Sequence, residues 1–204
     1  MLQAIHNIVD RIDFDSITSE RKSGLDKLVV YIKKAKKQNQ AANLNFICTH
    51  NSRRSQFAQL WATLAAWRYG VDAHCFSGGV EITACNQRTI DSLLRFGFLV
   101  TSVGNENPHF QVQYATNQPP VVLFSKLYDD SSTPTSDFAA IMTCSHADEN
   151  CPFIPGCDVR IAVRYNDPKQ FDDSTIEHSM YDATSFTIAS EMMYVFSQIN
   201  DHDN

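Results

Sequence analysis

The chain places a cysteine and an arginine six positions apart, Cys48 and Arg54, with the hydroxyl residue Ser55 directly behind them. The stretch between, Thr49-His50-Asn51-Ser52-Arg53, is polar and follows the apolar run Leu44-Asn45-Phe46-Ile47. At the join between a strand and a helix, a loop of this kind can hold an anion. Backbone N–H groups of the loop and the first helical turn point at the ligand, and the helix dipole favours negative charge there. The same field favours the thiolate of a cysteine, which is its nucleophilic form. Arg54 can grip two oxygens of a phosphate-like ion with its planar fork, and Ser55 can donate a hydrogen bond to the sulfur. On this reading Thr49 to Ser55 bind the oxyanion and Cys48 attacks it. A buried strand-end cysteine followed by a basic helix start would give the same pattern, so the rest of the chain has to decide.

The elements needed to position such a loop are present. From residue 44 the order is strand, helix, strand, helix, which calls for an α/β fold with a parallel sheet. The helix after the loop carries Phe57, Leu60, Trp61 and Leu64 on one face and stops near Gly70. Residues 72–77 read as the second strand, closed by Gly78-Gly79, and a second helix carries Ile90, Leu93 and Leu94. Residues 138–143 form a buried strand ending at Cys144, and 159–163 another ending close to Asp167-Pro168. The last helix covers roughly 184–200. Cys48, Cys144 and Asp167 therefore all follow the C-terminal ends of strands. In an open parallel sheet those ends share one edge, and ligands bind there.

Two further parts are expected. Residues 1–43 read as a helical arm packed on a main domain of 44–204. Ile5, Ile8, Val9 and Ile12 have helical spacing, as do Leu25, Leu28, Val29 and Ile32. Asp13-Phe14-Asp15-Ser16 lies between them and offers N-cap residues for the second helix. Phe110–Tyr114 alternates like a strand and Val121–Phe124 is a short apolar run across Pro119-Pro120, so the pair reads as an inserted β-hairpin.

Composition narrows the class. The chain is 43% hydrophobic and 20% charged, as ordinary globular proteins are, and its net charge of −6 argues against general nucleic-acid binding. No apolar run approaches the ~20 residues of a membrane span. The start lacks the basic-then-apolar layout of a secretory signal, so a cytoplasmic location is expected. Six cysteines in a chain this long are not a disulfide framework and fit reactive or buried thiols. Cys144 and Cys151 with His146 lack the spacing of a zinc site, so no metal is expected. Cys75 and Cys157 read as structural.

With those residues in view, Cys48 to Gln56 resembles the oxyanion loop of thioredoxin-coupled arsenate reductases, which share the fold of low-molecular-weight tyrosine phosphatases. The resemblance continues through Ser77-Gly78-Gly79-Val80-Glu81 with Asn86, through Thr143-Cys144-Ser145-His146-Ala147-Asp148-Glu149-Asn150-Cys151-Pro152, and to Asn166-Asp167-Pro168. It implies a three-layer α/β fold around a central parallel four-stranded sheet. It also implies that Cys48 attacks arsenate while Arg54 and the loop N–H groups stabilise the developing charge. Asp167 stands where the family has its general acid. Cys144 would then attack Cys48 and release arsenite, and Cys151 would move the disulfide to Cys144–Cys151, where thioredoxin or a similar thiol reductant can reduce it. Such exchange needs a mobile segment, and the polar stretch between Cys144 and Cys151 is expected to supply it.

The sequence departs from the family at three places. His50 stands where the family has Gly, which tolerates backbone angles that His resists. Arg53 replaces a second loop cysteine. Gln59 replaces a glutamate that helps bind potassium in some members, so that ion is not expected. Nothing is expected to be tightly bound beyond a phosphate, sulfate or arsenate-like oxyanion.

Two other functions fit the same loop. A phosphatase cleaving phosphate monoesters through a phosphocysteine needs only Cys48, Arg54 and Asp167. Against a tyrosine phosphatase stand Lys169-Gln170, where those enzymes resemble one another in carrying tyrosines, and the Cys144/Cys151 pair, which a phosphatase does not need. A non-catalytic oxyanion-binding module would use the loop with the arm as a contact surface. The oligomeric state is not legible.

Overall fold

A computed structural model describes residues 1–150 and 153–200. Strand β1 (Ala42–Cys48) is followed by α3 (Arg54–Tyr69), β2 (Ala73–Gly79) and α4 (Gln87–Arg95). Two helices, α1 (Gln3–Val9) and α2 (Ser19–Lys37), precede them. Then come the short strands β3 (Leu99–Val103), β4 (His109–Gln113) and β5 (Val121–Leu123), and after them β6 (Phe138–Met142), α5 (Ser145–Asn150), β7 (Cys157–Ala162) and α6 (Glu177–Ser197).

The central sheet runs β2-β1-β6-β7 with every pairing parallel. Its middle strands are buried on both faces, which is why β1 and β6 read as near-continuous apolar runs. Side-chain alternation then divides the core in two. Leu44, Phe46, Ala139 and Ile141 face a large cluster built with Trp61, Phe57, Tyr181 and Phe196 of α3 and α6. Ile47, Cys48, Ala140 and Met142 face a smaller one that Cys144, Ala147 and Ile154 complete. The result is the expected three-layer α/β architecture.

The inserted region is larger than a hairpin. β3, β4 and β5 form a separate antiparallel sheet, in which Leu99–Val103 pairs with His109–Gln113. Leu99 and Val103 are exposed, so β3 has no buried face and no alternation to betray it. On the arm, Ile5, Val9, Leu25, Leu28 and Ile32 join the large core cluster. Asp13 does not cap α2 as expected. Its carboxylate accepts from Asp15 N–H in a 3-10 turn at Phe14–Ser16, and Thr18 Oγ1 caps α2 by accepting from Arg21 N–H. Arg21 reaches across to α6, donating from Nε and Nη2 to the Glu191 carboxylate at 2.6 and 2.7 Å.

The segment expected to be mobile is helical at Ser145–Asn150. Cys144 caps it, its sulfur accepting from Ala147 N–H at 3.3 Å and its carbonyl from Asp148 N–H at 3.1 Å. Asp148 is buried and ion-paired to Arg160 and Arg164, which ties α5 to β7 and the residues after it. Cys151 lies outside the described residues. α6 starts at Glu177, about two turns earlier than its apolar pattern suggests, because its first turns are polar and face Arg88 and Arg95.

Candidate functional site

Residues 49–53 form the turn from β1 into α3, and the carbonyls of 49–52 are each drawn outward by a donor. Val80 and Glu81 N–H both donate to Thr49 O at 2.9 Å, and Ser125 Oγ donates to His50 O at 2.8 Å. Gln56 Nε2 donates to Asn51 O at 2.7 Å, and Asn86 N–H to Ser52 O at 3.0 Å. In a planar trans peptide the N–H points opposite its C=O, so outward carbonyls turn the amides into the loop's interior. The sharpest bend is at Asn51, the loop residue with positive φ (46°), rather than at His50. Asn tolerates that conformation, and its side chain is fixed there. Nδ2 donates to Ser55 Oγ at 2.8 Å, and Oδ1 accepts from Lys126 N–H at 3.1 Å.

Cys48 is buried at the end of β1, its sulfur 3.1 Å from Ser55 Oγ. Because Ser55 already accepts from Asn51, its own O–H is left to point at the sulfur. Gly79 lies against the loop so closely that a Cβ there would sit 2.8 Å from Asn51 N and Thr49 O. This accounts for Gly79 at the end of β2, while a Cβ at Gly78 would run into the backbone of Tyr128.

The two loop arginines converge on Asp167. Arg53 Nε donates to Oδ1 at 2.9 Å, and Arg54 Nη2 to Oδ2 at 2.7 Å, while Arg54 Nη1 donates to Tyr165 O at 3.1 Å. Burial works to raise the pKa of Asp167. Arg54, Arg53 and the Lys169 N–H outweigh it and hold the carboxyl below its ordinary value. The space left among Cys48, His50, Ser52, Arg53 and Arg54 is ≈ 10 Å³, about enough for one water. His50, Ser52 and Arg53 also border a cleft of ≈ 530 Å³ walled by Glu106, Phe110 and Lys169. A cavity of ≈ 600 Å³ between Tyr31, Asn43 and Asp158 lies at the opposite edge of the sheet, away from the cysteine loop.

Cys144 comes to the same place from β6. Thr143 N–H donates to Ile47 O at 2.8 Å, which aligns the two strand ends. The Cys144 sulfur lies 3.5 Å from Thr49 Oγ1, and Thr49 Oγ1 is 3.2 Å from His146 Nδ1. His50 turns outward instead, to Glu81 at 3.2 Å. Thus Cys48, Arg53, Arg54, Ser55, Cys144 and Asp167 are brought together. No group of His, Cys, Asp or Glu suited to a metal occurs among the described residues, and no helix there is long and apolar enough to cross a membrane.

Three residues at the site carried no sequence signal. Ser125 donates to His50 O and accepts from Thr83 N–H, and Lys126 is buried behind Asn51. Cys85 is buried between the loop and Lys126, and burial pushes its thiol up to about 12. They belong to the loop only through tertiary pairing, which no local pattern records.

No protein-family model matches the chain. Its sequence is similar to arsenate reductase 2 of Staphylococcus epidermidis, 28% identical over 123 residues, which is 60% of this chain and 76% of that protein. The fold is similar to that of a low-molecular-weight phosphotyrosine phosphatase from Vibrio cholerae, with a TM-score of 0.51 at 13% identity, covering 77% of this chain and 95% of that one. An arsenate reductase in a phosphate-binding state superposes with a TM-score of 0.51 at 14% identity, covering 78% of this chain and 100% of that one.

Proposed function

We infer function from one premise: the chain belongs to the superfamily that joins arsenate reductases with low-molecular-weight protein tyrosine phosphatases. It is an enzyme of that superfamily, and we propose that its reaction is the reduction of arsenate to arsenite. The observation that carries this choice is the Cys144 sulfur, 3.5 Å from the hydroxyl of the residue after Cys48 and accepting an amide N–H. A phosphatase has no use for a second thiol in that position.

Arsenate enters as Arg53 and Arg54 turn from Asp167 toward it, since the present ≈ 10 Å³ is too small for a tetrahedral oxyanion. The Cys48 thiolate attacks arsenic, and the loop N–H groups and Arg54 take up the oxyanion charge. Asp167, released from its ion pairs, takes up a proton from solvent and gives it to the departing hydroxyl of arsenate, which leaves as water as the sulfur–arsenic bond forms. The Cys144 thiolate then attacks the Cys48 sulfur. The sulfur–arsenic electron pair passes to arsenic, arsenite leaves, and a Cys48–Cys144 disulfide remains. Cys151 takes over the bond to Cys144 in the last exchange, and thioredoxin or a similar dithiol in a reducing cytoplasm restores the enzyme.

Hydrolysis of phosphate monoesters is the second reading, and the helical state of 145–150 favours it, because α5 must unwind before a second disulfide can form. The test is arsenate-dependent oxidation of reduced thioredoxin, measured beside p-nitrophenyl phosphate hydrolysis. Cys48→Ser should lose both activities, and Cys144→Ser only the first. A Cys144→Ser protein that still turns over arsenate with thioredoxin sinks the cascade. Hydrolysis without reduction in the wild type makes the protein a phosphatase.

A further inference from the structure

A cavity of ≈ 360 Å³ lies behind the loop, between β2 at the edge of the parallel sheet and β5 of the antiparallel one. Phe76, Val121 and Phe124 give it apolar walls, and Gln59, Thr63 and Lys126 a polar end. Lys126 is 4% exposed. A buried ammonium ordinarily has a carboxylate or several acceptors around it, because its desolvation is costly. Among the described residues Nζ has a single long hydrogen-bond contact, 3.5 Å to Phe124 O, and sits 4.2 Å from the Phe124 ring centroid. Among the described residues no carboxylate lies within ion-pair distance of it.

The position of this cation is tied to the loop. Phe124 O also accepts from Gln56 Nε2 at 2.8 Å, and the same amide donates to Asn51 O. Lys126 N–H donates to Asn51 Oδ1, and its carbonyl accepts from Gly79 N–H at 2.8 Å. A ligand that draws Nζ off Phe124 O therefore acts on groups that hold the loop's one left-handed residue.

We propose that this cavity is a second anion site, taking a small monocarboxylate with a short apolar body, its carboxylate on Lys126 and its body against Phe76, Val121 and Phe124. One cation among apolar and uncharged polar groups suits a monoanion, since the desolvation of a phosphate dianion would go unmatched. Occupancy of the site alters anion affinity at Cys48, and by linkage the reverse also holds. The site stands whether the loop serves arsenate or a phosphate ester.

The pH response follows from the same geometry. Burial lowers Lys126 to about 8, with Asp130 and Cys85 acting against that shift, and His74 and Cys75 also line the cavity. Binding through the ammonium must fade as pH rises past that value.

Calorimetric titration of the full chain with butyrate and benzoate, beside acetate and inorganic phosphate, tests the proposal. At pH 7 butyrate should bind at one site, about tenfold tighter than acetate, as burial of two extra methylenes allows. That binding should survive Arg54→Met, which loses phosphate, and should vanish in Lys126→Met. At pH 9.5 it should weaken by about tenfold or more, in proportion to the loss of protonated lysine. Phosphate affinity should change at least about twofold with butyrate present. Absence of carboxylate binding at millimolar concentration, binding indifferent to Lys126→Met or to pH, or loss of binding in Arg54→Met would each overturn the site. If Lys126→Met does not fold, the wild-type pH series decides alone.

Discussion

Arg54 Nη2 donates to Asp167 Oδ2 at 2.7 Å, joining two groups that oxyanion chemistry must use separately. With Arg53 on the same carboxylate, Asp167 is held ionised, and an ionised carboxylate has no proton to give. An oxyanion in the loop competes for both guanidinium groups. Its arrival removes what depresses the Asp167 pKa while burial, which raises it, stays. On the proposed mechanism, substrate binding thereby makes the acid.

Asp167→Asn should slow the first chemical step by about 10²–10⁴-fold, the usual worth of a positioned proton donor, as read from the p-nitrophenol burst. It should also change stability with a defined sign. The folded pKa lies below the ordinary 3.8, so the ion pairs stabilise the protein above that value and the gain is lost as pH falls through the folded pKa. The wild-type advantage in urea unfolding should be about 1 kcal/mol at pH 7 for a partly exposed cluster, and it should close as pH falls below the ordinary carboxylate range.

Ser55→Ala removes the hydroxyl beside the Cys48 sulfur and leaves Asn51 Nδ2 without its acceptor. Single-turnover rates should drop by about 10- to 100-fold, with a stability loss of about 1–3 kcal/mol from the orphaned buried amide. Ser55→Thr retains the hydroxyl and should recover most of the rate.

Gly79→Ala places a methyl group 2.8 Å from Asn51 N, Thr49 O and Glu81 O, all backbone atoms that cannot turn aside. The loop itself must shift, so phosphate affinity measured by calorimetry should fall at least about tenfold. Thermal unfolding should show a loss of about 1–3 kcal/mol, the usual range for overpacking.

Asp148→Asn leaves two arginines without the carboxylate that anchors α5. Breaking a buried pair of this kind costs about 3–5 kcal/mol when fully buried, and less here because Arg164 is half exposed. Amide exchange at 145–150 should accelerate more than elsewhere. If unwinding of α5 limits the second disulfide step, arsenate turnover with thioredoxin should rise even as stability falls.

The β1-to-α3 turn was legible because a buried strand, a polar turn and a helix with regularly spaced large apolar residues leave strong local patterns. Phe57, Leu60, Trp61 and Leu64 and the apolar runs at 44–47 and 138–143 announce their elements without outside help. β3 was not legible, because both its faces are wet and only pairing with β4 makes it a strand. Nor was α5, whose cap is a cysteine sulfur and whose anchor is a pair of arginines 12 and 16 residues further on. Lys126 looks like any surface lysine until the two sheets close over it.

What the sequence determined by itself is the order of the parallel-sheet strands and of the helices α3, α4 and α6 and, through parallel topology, the arrival of Cys48, Cys144 and Asp167 at one sheet edge. Period-2 and helical patterns are local, and the rule for strand ends needs nothing more. Only the tertiary structure decided the state of those groups. Which carbonyls turn outward, that both arginines rest on Asp167 and that the helix capped by Cys144 is anchored through Asp148 to Arg160 and Arg164 all depend on partners further away in the chain. Hydrogen bonds and ion pairs between distant segments act over a few ångströms, and no spacing along the sequence encodes such distances.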